Sequence, residues 1–151
     1  MSTNWNKRFL DLANHISKWS RDPNRKCGAV IVGQDNREKS MGYNGLPNNC
    51  DLDNVDIKKR YEKPLKYMWV EHAERNAIYA AGRNGISLDG CKMYVTYFPC
   101  CDCARAIIQS GIKEVYSPKP DWKHHKWGES WKISKQMFDE CGVKVKFIKD
   151  E

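Results

Sequence analysis

No long apolar run occurs in this sequence. Its longest wholly aliphatic stretch is Ala29 to Val32, whereas a helix crossing a bilayer needs roughly 20 apolar residues. The N-terminus also lacks the apolar region of a secretory signal. There is no internal repeat and no low-complexity tract. A disulfide framework is missing too. The seven cysteines, Cys27, Cys50, Cys91, Cys100, Cys101, Cys103 and Cys141, are an odd number, and two of them fall in a C-x-x-C spacing suited to metal. A reducing, cytoplasmic setting is the expectation. Acidic residues are the scarcer charge, with 19 Asp and Glu against 26 Lys and Arg, for a net charge of +7.

What is present suffices for one folded domain over 1–151. The 151 residues, 40% hydrophobic and 11% aromatic, can bury a substantial core and argue against disorder. Trp5, Phe9, Leu12, Ile16 and Trp19 recur at spacings of four and three after Ser2-Thr3-Asn4, which predicts an amphipathic first helix that stops before Asp22-Pro23. Val30-Ile31-Val32 between Gly28 and Gly33 reads as a strand. A turn at Asp35-Asn36 then leads to a second strand ending at Gly42-Tyr43-Asn44, so the pair forms a hairpin. Residues 48–66 are rich in Asn, Asp and Lys without apolar period, and read as an inserted loop or irregular lobe.

The second half alternates helix and strand: a helix from Glu71 to Ala81 stopped by Gly82, a strand from Cys91 to Thr96, a helix from Cys100 to Ser110, and a strand from Ile112 to Tyr116. A parallel strand pair joined by a helical crossover follows. Trp127, Trp131, Phe138 and Cys141 mark one stripe of a last helix ended by Gly142. Val143, Val145 and Phe147 then alternate with Lys144 and Lys146 as an edge strand. This order predicts an α/β fold with helices on both faces of a mixed sheet.

The chemistry is concentrated in His72-Ala73-Glu74 and Pro99-Cys100-Cys101-Asp102-Cys103. Zinc takes four ligands and accepts imidazole and thiolate, so His72, Cys100 and Cys103 leave a fourth position for water or substrate, as in catalytic sites. A water bound there is acidified toward neutral pH. Glu74, two residues beyond His72, can stand beside that water as proton carrier without being a ligand. Cys100 and Cys103 share one face near the positive end of a helix dipole, which favours the thiolate. A structural zinc knuckle would want a fourth Cys or His, and a redox pair would not need a distant His-x-Glu. H-x-E followed by P-C-x-x-C is the established pattern of zinc nucleobase deaminases. Cys101 reads as a bystander thiol. His124 and His125 lack ligand spacing and are expected in solvent.

Asp22-Pro23-Asn24, Gly28-Ala29-Val30-Ile31-Val32, Gly42-Tyr43-Asn44-Gly45-Leu46-Pro47-Asn48, His72-Ala73-Glu74-Arg75-Asn76-Ala77-Ile78, and Phe98-Pro99-Cys100 through Val115 cover most of the chain. With these pieces it resembles the deoxycytidylate (dCMP) deaminases of the cytidine deaminase-like superfamily. The resemblance implies a three-layer α/β/α fold with a mixed central sheet of about five strands. It implies hydrolytic deamination of dCMP to dUMP with release of ammonia, feeding thymidylate synthesis, with one catalytic zinc per chain on His72, Cys100 and Cys103. Glu74 would be the proton carrier, and the Ala73 backbone would hold the base edge. Asn44 would bind the deoxyribose, although a turn residue bonding its own backbone is the competing reading. Trp122 would stack on the pyrimidine, with a plain core or surface tryptophan as the competing reading. Asn24, Arg25 and Lys26, placed before the first strand, are candidates for the 5′-phosphate. Family members are commonly hexamers, activated by dCTP and inhibited by dTTP with Mg2+. Their nucleotide site draws on the segment matched here by Gly42, Tyr43, Asn44, Gly45 and Asn48.

Glu71 stands where some relatives have a Cys for a second, structural zinc, so one zinc is expected. The charge excess reads as steering of an anionic nucleotide or as a solvated surface. With no recognisable nucleic-acid module, a nucleic-acid partner is not expected. A tRNA adenosine deaminase shares the zinc motifs but fits Tyr43-Asn44-Gly45 and the 48–66 insertion less well. A free-nucleoside cytidine deaminase usually offers Cys in place of His72. A non-catalytic zinc-stabilised binding protein is the remaining alternative.

Overall fold

The β-branched run after Gly28 forms the centre of the fold. In the computed structural model, which describes residues 4–50 and 57–149, β1 (Gly28–Val32) is buried along its whole length. On one side it pairs antiparallel with β2 (Glu38–Tyr43), completing the expected hairpin. On the other it pairs antiparallel with β3 (Lys92–Val95). β4 (Glu114–Ser117) and β5 (Lys144–Phe147) extend the sheet in parallel, giving the order β2-β1-β3-β4-β5. β5 is an outer strand, as its alternation predicts.

Six helices accompany the sheet among the described residues: α1 (Trp5–Ser17), α2 (Ile57–Arg60), α3 (Lys66–Trp69), α4 (Ala73–Arg83), α5 (Cys101–Gln109) and α6 (Gly128–Cys141). Because side chains alternate along a strand, β1 serves two cores. Val30 and Val32, with Tyr94 and Tyr116, meet Phe9, Ala13 and Ile16 of α1. Ala29 and Ile31, with Met93, Val95 and Val115, meet Ala73 and Ala77 of α4, Ala104 and Ile107 of α5, and Trp131 and Phe138 of α6. The result is the expected α/β/α layering, one helix on one face and three on the other, with β3, α5 and β4 as the parallel crossover unit.

Several boundaries differ from the sequence reading for local reasons. The helix expected from Glu71 starts at Ala73, with His72 extended at its N-cap, because Glu71 is held outside by a bridge to Gly45. Gly82 does not stop that helix. It lies inside it, and the chain turns at Asn84 and Gly85. Of the expected α1 stripe, Phe9 and Ile16 are buried, joined by Leu10 and Ala13, and Leu12 packs on the same core, whereas Trp5 at the helix start and Trp19 beyond its end are 41% and 55% exposed. Trp19 makes an edge-on contact with Tyr43 instead. Cys141 is exposed, leaving Trp131 and Phe138 as the aromatic anchors of α6. The 48–66 segment is not wholly irregular, since α2 and the start of α3 fall within it. Residues 51–56 of it lie outside the described residues. Its anchors are Tyr61, which is buried, and Lys66, whose Nζ lies 2.9 Å from Oδ2 of the buried Asp22.

The face that α4 turns to the sheet is Ala73, Ala77 and Ala81. These small residues let the helix press onto β2 so tightly that a Cβ on Gly42 would lie 2.5 Å from Ala77 N and 2.6 Å from Ala73 O. Glycine at 42 is therefore required by helix packing. That contact fixes where the first turn of α4, and hence Glu74, sits.

Candidate active site and metal centre

Two helix N-termini meet where β3 ends. His72 is the N-cap of α4 and Cys100 the N-cap of α5, and neither side chain caps its own helix. Both are thereby free to face a common point. His72 Nδ1 lies 3.5 Å from Cys100 Sγ and 3.4 Å from Cys103 Sγ. A tetrahedral zinc with Zn–S of about 2.3 Å and Zn–N of about 2.0–2.1 Å would separate N and S by about 3.5 Å. The three donors therefore fit zinc in type and spacing, and they are the sole such cluster of His, Cys or acid side chains among the described residues. Glu71, expected to contribute no second zinc site, instead accepts from His72 N at 3.1 Å and from Arg75 Nε at 2.5 Å.

The electrostatics of the pair suit a cation. The Cys100 thiol is pulled down to about 4, chiefly by its hydrogen bond with Cys103 and then, against burial, by His72. That same bond and burial push Cys103 up, and a metal bound here would take both sulfurs as thiolates. The bond to Cys100 raises His72. Glu74 is buried, and burial raises its carboxyl above the usual range, partly countered by His72. Beside it Cys27 is a neutral thiol, pushed up to about 12 by burial and next by the charge of Glu74.

These groups line a cleft of about 580 Å³. Of the residues singled out from sequence, Asn24, Arg25, Asn44, His72, Ala73, Glu74 and Cys100 line it, and Cys103 lies fully buried directly behind. Trp122 does not. It packs between Phe98 and Phe147, outside the lining. Lys26 also turns away, donating from Nζ to Ser20 O. Asn44 is buried and spends its carboxamide on backbone, accepting from Cys27 N at 2.8 Å and donating to Arg25 O at 2.8 Å. The other residues of its segment are placed structurally: Gly42 under α4, Tyr43 exposed against Trp19, Gly45 bridged to Glu71, and Asn48 exposed in a turn.

Sequence reasoning missed the opposite wall. His125 is exposed, as expected, but it and the half-buried His124 border the cleft, and His124 Nδ1 accepts from the backbone of Lys126 and Trp127 at 3.1 Å. Lys63 and Lys66 reach the cleft from the lobe, Lys126 from the loop before α6, and Arg25 lies over the Tyr97 ring at 4.0 Å. Lys126 is depressed to about 8, by burial first and then by the adjacent Lys63 ammonium, with Lys66 and Arg25 adding to it. Neither Lys63 nor Lys126 has a carboxylate at salt-bridge distance among the described residues. Lys66 is paired with Asp22, but Lys63 and Lys126, crowded without such a partner, make a place for an anionic group.

A mixed sheet carrying a His/Cys/Cys cluster and a buried glutamate at the meeting of two helix N-termini defines the class of zinc-dependent deaminases. Residues 3–118 match the family model described as the cytidine and deoxycytidylate deaminase zinc-binding region. Human deoxycytidylate deaminase is 40% identical over 147 residues, spanning 95% of this chain and 80% of the relative. The deoxycytidylate deaminase of enterobacteria phage T2 is 58% identical over 156 aligned residues, spanning 75% and 82%. The crystal structure of dCMP deaminase from cyanophage S-TIM5 in complex with dCMP and dUMP superposes with a TM-score of 0.74 at 25% identity, covering 98% of this chain and 99% of that one. The chain belongs to the cytidine and deoxycytidylate deaminase family.

Proposed function

We propose that this protein hydrolyses dCMP to dUMP and ammonia. The observation that carries this reading is the placement of buried Glu74 beside the His72, Cys100 and Cys103 donors on the wall of a cleft whose opposite side is cationic. The likeness to deoxycytidylate deaminases supports the choice of substrate. Zn2+ held by the three donors would supply a Lewis acid that acidifies water. The chain's own groups do the rest. Glu74 takes a proton from the attacking water and delivers it to N3 of cytosine, so that C4 accepts the oxygen. It then takes the proton of the oxygen now on C4 and gives it to the amino group, so that the C4–N bond breaks, ammonia leaves and C4=O forms. A carboxyl raised by burial suits both halves of that exchange.

The Ala73 backbone, next to Glu74 in the first turn of α4, is assigned to the base edge. The 5′-phosphate is assigned to the cationic wall of Lys63, Lys126 and Arg25, with Asn24 beside them and without Lys26. Arg25 is already ordered over Tyr97, which lowers the entropy lost on binding. The deoxyribose would then lie near the strut that Asn44 forms.

Control by dCTP and dTTP with Mg2+, a hexameric assembly and a role in thymidylate supply are the parts of the reading that the family resemblance supports. Among the described residues no helix is long and apolar enough to cross a membrane.

Ammonia release from dCMP, deoxycytidine, dCTP and an adenosine-containing tRNA stem-loop, each by the zinc-loaded protein, tests the proposal. Preference for dCMP is expected. Activity on the tRNA alone would keep the zinc chemistry and overturn the substrate. Repeating the dCMP series with dTTP, and with dCTP at concentrations that are not themselves turned over, tests control. An unchanged saturation curve would remove it.

A further inference from the structure

The metal-bearing end of α5 is short of caps. The first N–H groups of a helix find no partner within it, and a side-chain oxygen at the N-cap usually serves one of them. Here the N-cap is Cys100, which makes no capping bond and directs its sulfur to His72. The Cys101 N–H donates instead to Ser130 Oγ, 2.9 Å away on α6. That N–H shares a rigid peptide plane with the Cys100 carbonyl, which accepts from Ala104 N at 2.8 Å. Both edges of the plane next to Cys100 are therefore held, one by α5 and one by α6.

Ser130 is itself fixed. Its carbonyl accepts from Ser134 Oγ at 3.0 Å. Two residues earlier, α6 begins at Gly128, so close to the preceding loop that a Cβ there would lie 2.5 Å from Trp122 O. Trp131, the next residue, is seated in the core shared with α5.

We infer that Ser130 is a positioning residue for the metal centre: its hydroxyl, acting from α6 across the helix boundary, holds the first turn of α5 in the orientation that points Cys100 and Cys103 at His72 Nδ1. The inference rests on the deaminase reading in taking zinc as the cation. It extends that reading to a residue beyond the 3–118 stretch that the family model matches.

The test is zinc affinity by chelator competition for the parent, Ser130→Ala and Ser130→Thr, with the absorption spectrum of the cobalt(II)-substituted proteins alongside. Loss of an outer-shell hydrogen bond commonly costs about 10–100-fold in metal affinity, and a loss in that range is expected for Ser130→Ala, with altered thiolate-to-cobalt bands. Ser130→Thr, which keeps the hydroxyl, should restore both. The zinc-stripped forms should unfold at the same urea concentration. Equal zinc affinity and an unchanged cobalt spectrum in Ser130→Ala would overturn the inference and leave the deaminase reading standing. So would an equal loss of stability in zinc-stripped Ser130→Ala, which would make the hydroxyl a general packing element. A parent protein that takes up no zinc would overturn both.

Discussion

The carboxamide oxygen of Asn44 accepts the backbone N–H of Cys27 at 2.8 Å. With the second bond from Nδ2 to Arg25 O, this ties the end of β2 to the loop that leads into β1. The loop carrying Asn24 and Arg25 is thereby held against the cleft.

Asn44→Ala should therefore act on the fold before it acts on any ligand. Leaving buried backbone groups without partners costs about 1–3 kcal/mol each, and two are exposed to that loss here. Urea denaturation should show a lower midpoint with an unchanged slope. A variant with parental stability and only a raised KM would return Asn44 to a purely sugar-binding role.

Glu74→Gln preserves shape and removes the proton carrier. Turnover should fall by roughly 10²–10⁴-fold or more, while zinc content by metal analysis stays at one per chain. Retained activity would exclude Glu74 from the chemistry. Two zinc ions per chain in the parent would show that a second site exists.

Lys126 supplies a pH dependence whose sign can be worked out. Its folded value, about 8, lies below the ordinary 10.5 because of burial and then Lys63, with Lys66 and Arg25 also facing it. Below pH 8 both folded and unfolded chains carry the charge, and the folded one bears the crowding. As pH rises through 8 toward 10.5 the folded chain releases the proton first, so stability should rise over that window. Affinity for dCMP should move the opposite way, weakening above pH 8 as the cation is lost, while KM for deoxycytidine stays flat. Lys126→Ala should raise KM for dCMP about tenfold, the order expected for loss of a charge-assisted contact of about 1.4 kcal/mol, and abolish the pH effect. Parallel losses on dCMP and deoxycytidine would place the phosphate elsewhere.

Gly42→Ala tests the close approach of α4 to β2. A methyl there meets backbone at 2.5 Å, and overpacking of this kind typically costs about 1–3 kcal/mol. The thermal midpoint should drop, with dCMP turnover falling because Glu74 rides on the same helix turn. A neutral substitution would leave room for a nucleotide-sensing role of this segment.

The zinc donors were legible in the sequence because the signals are local: Cys100 and Cys103 share a helix turn, and His72 and Glu74 share another. The sheet was legible for the same reason, since Val30-Ile31-Val32 and the alternation around Val145 declare their faces. What escaped the sequence is what long-range contact decides. The end of α1 at Ser17 took Trp19 off the helical stripe, and it lies outward. Gly82 continued a helix whose buried side runs along Ala73, Ala77 and Ala81. Lys63 and Lys126 stand far apart in a lobe and a loop with no periodicity, and only the fold puts them on one wall. For Trp122, which by position could stack or pack, the structure shows ring contacts with Phe98 and Phe147, a packing that no local pattern announces.

One of the two outer strands, β5, presents Lys144 and Lys146 in exposed positions. An unpaired strand edge is an invitation to another chain, and exposed lysines are one of the ways proteins refuse it. A second copy laid alongside through the same strand would set ammonium against ammonium. Growth of the sheet on that side is thereby disfavoured.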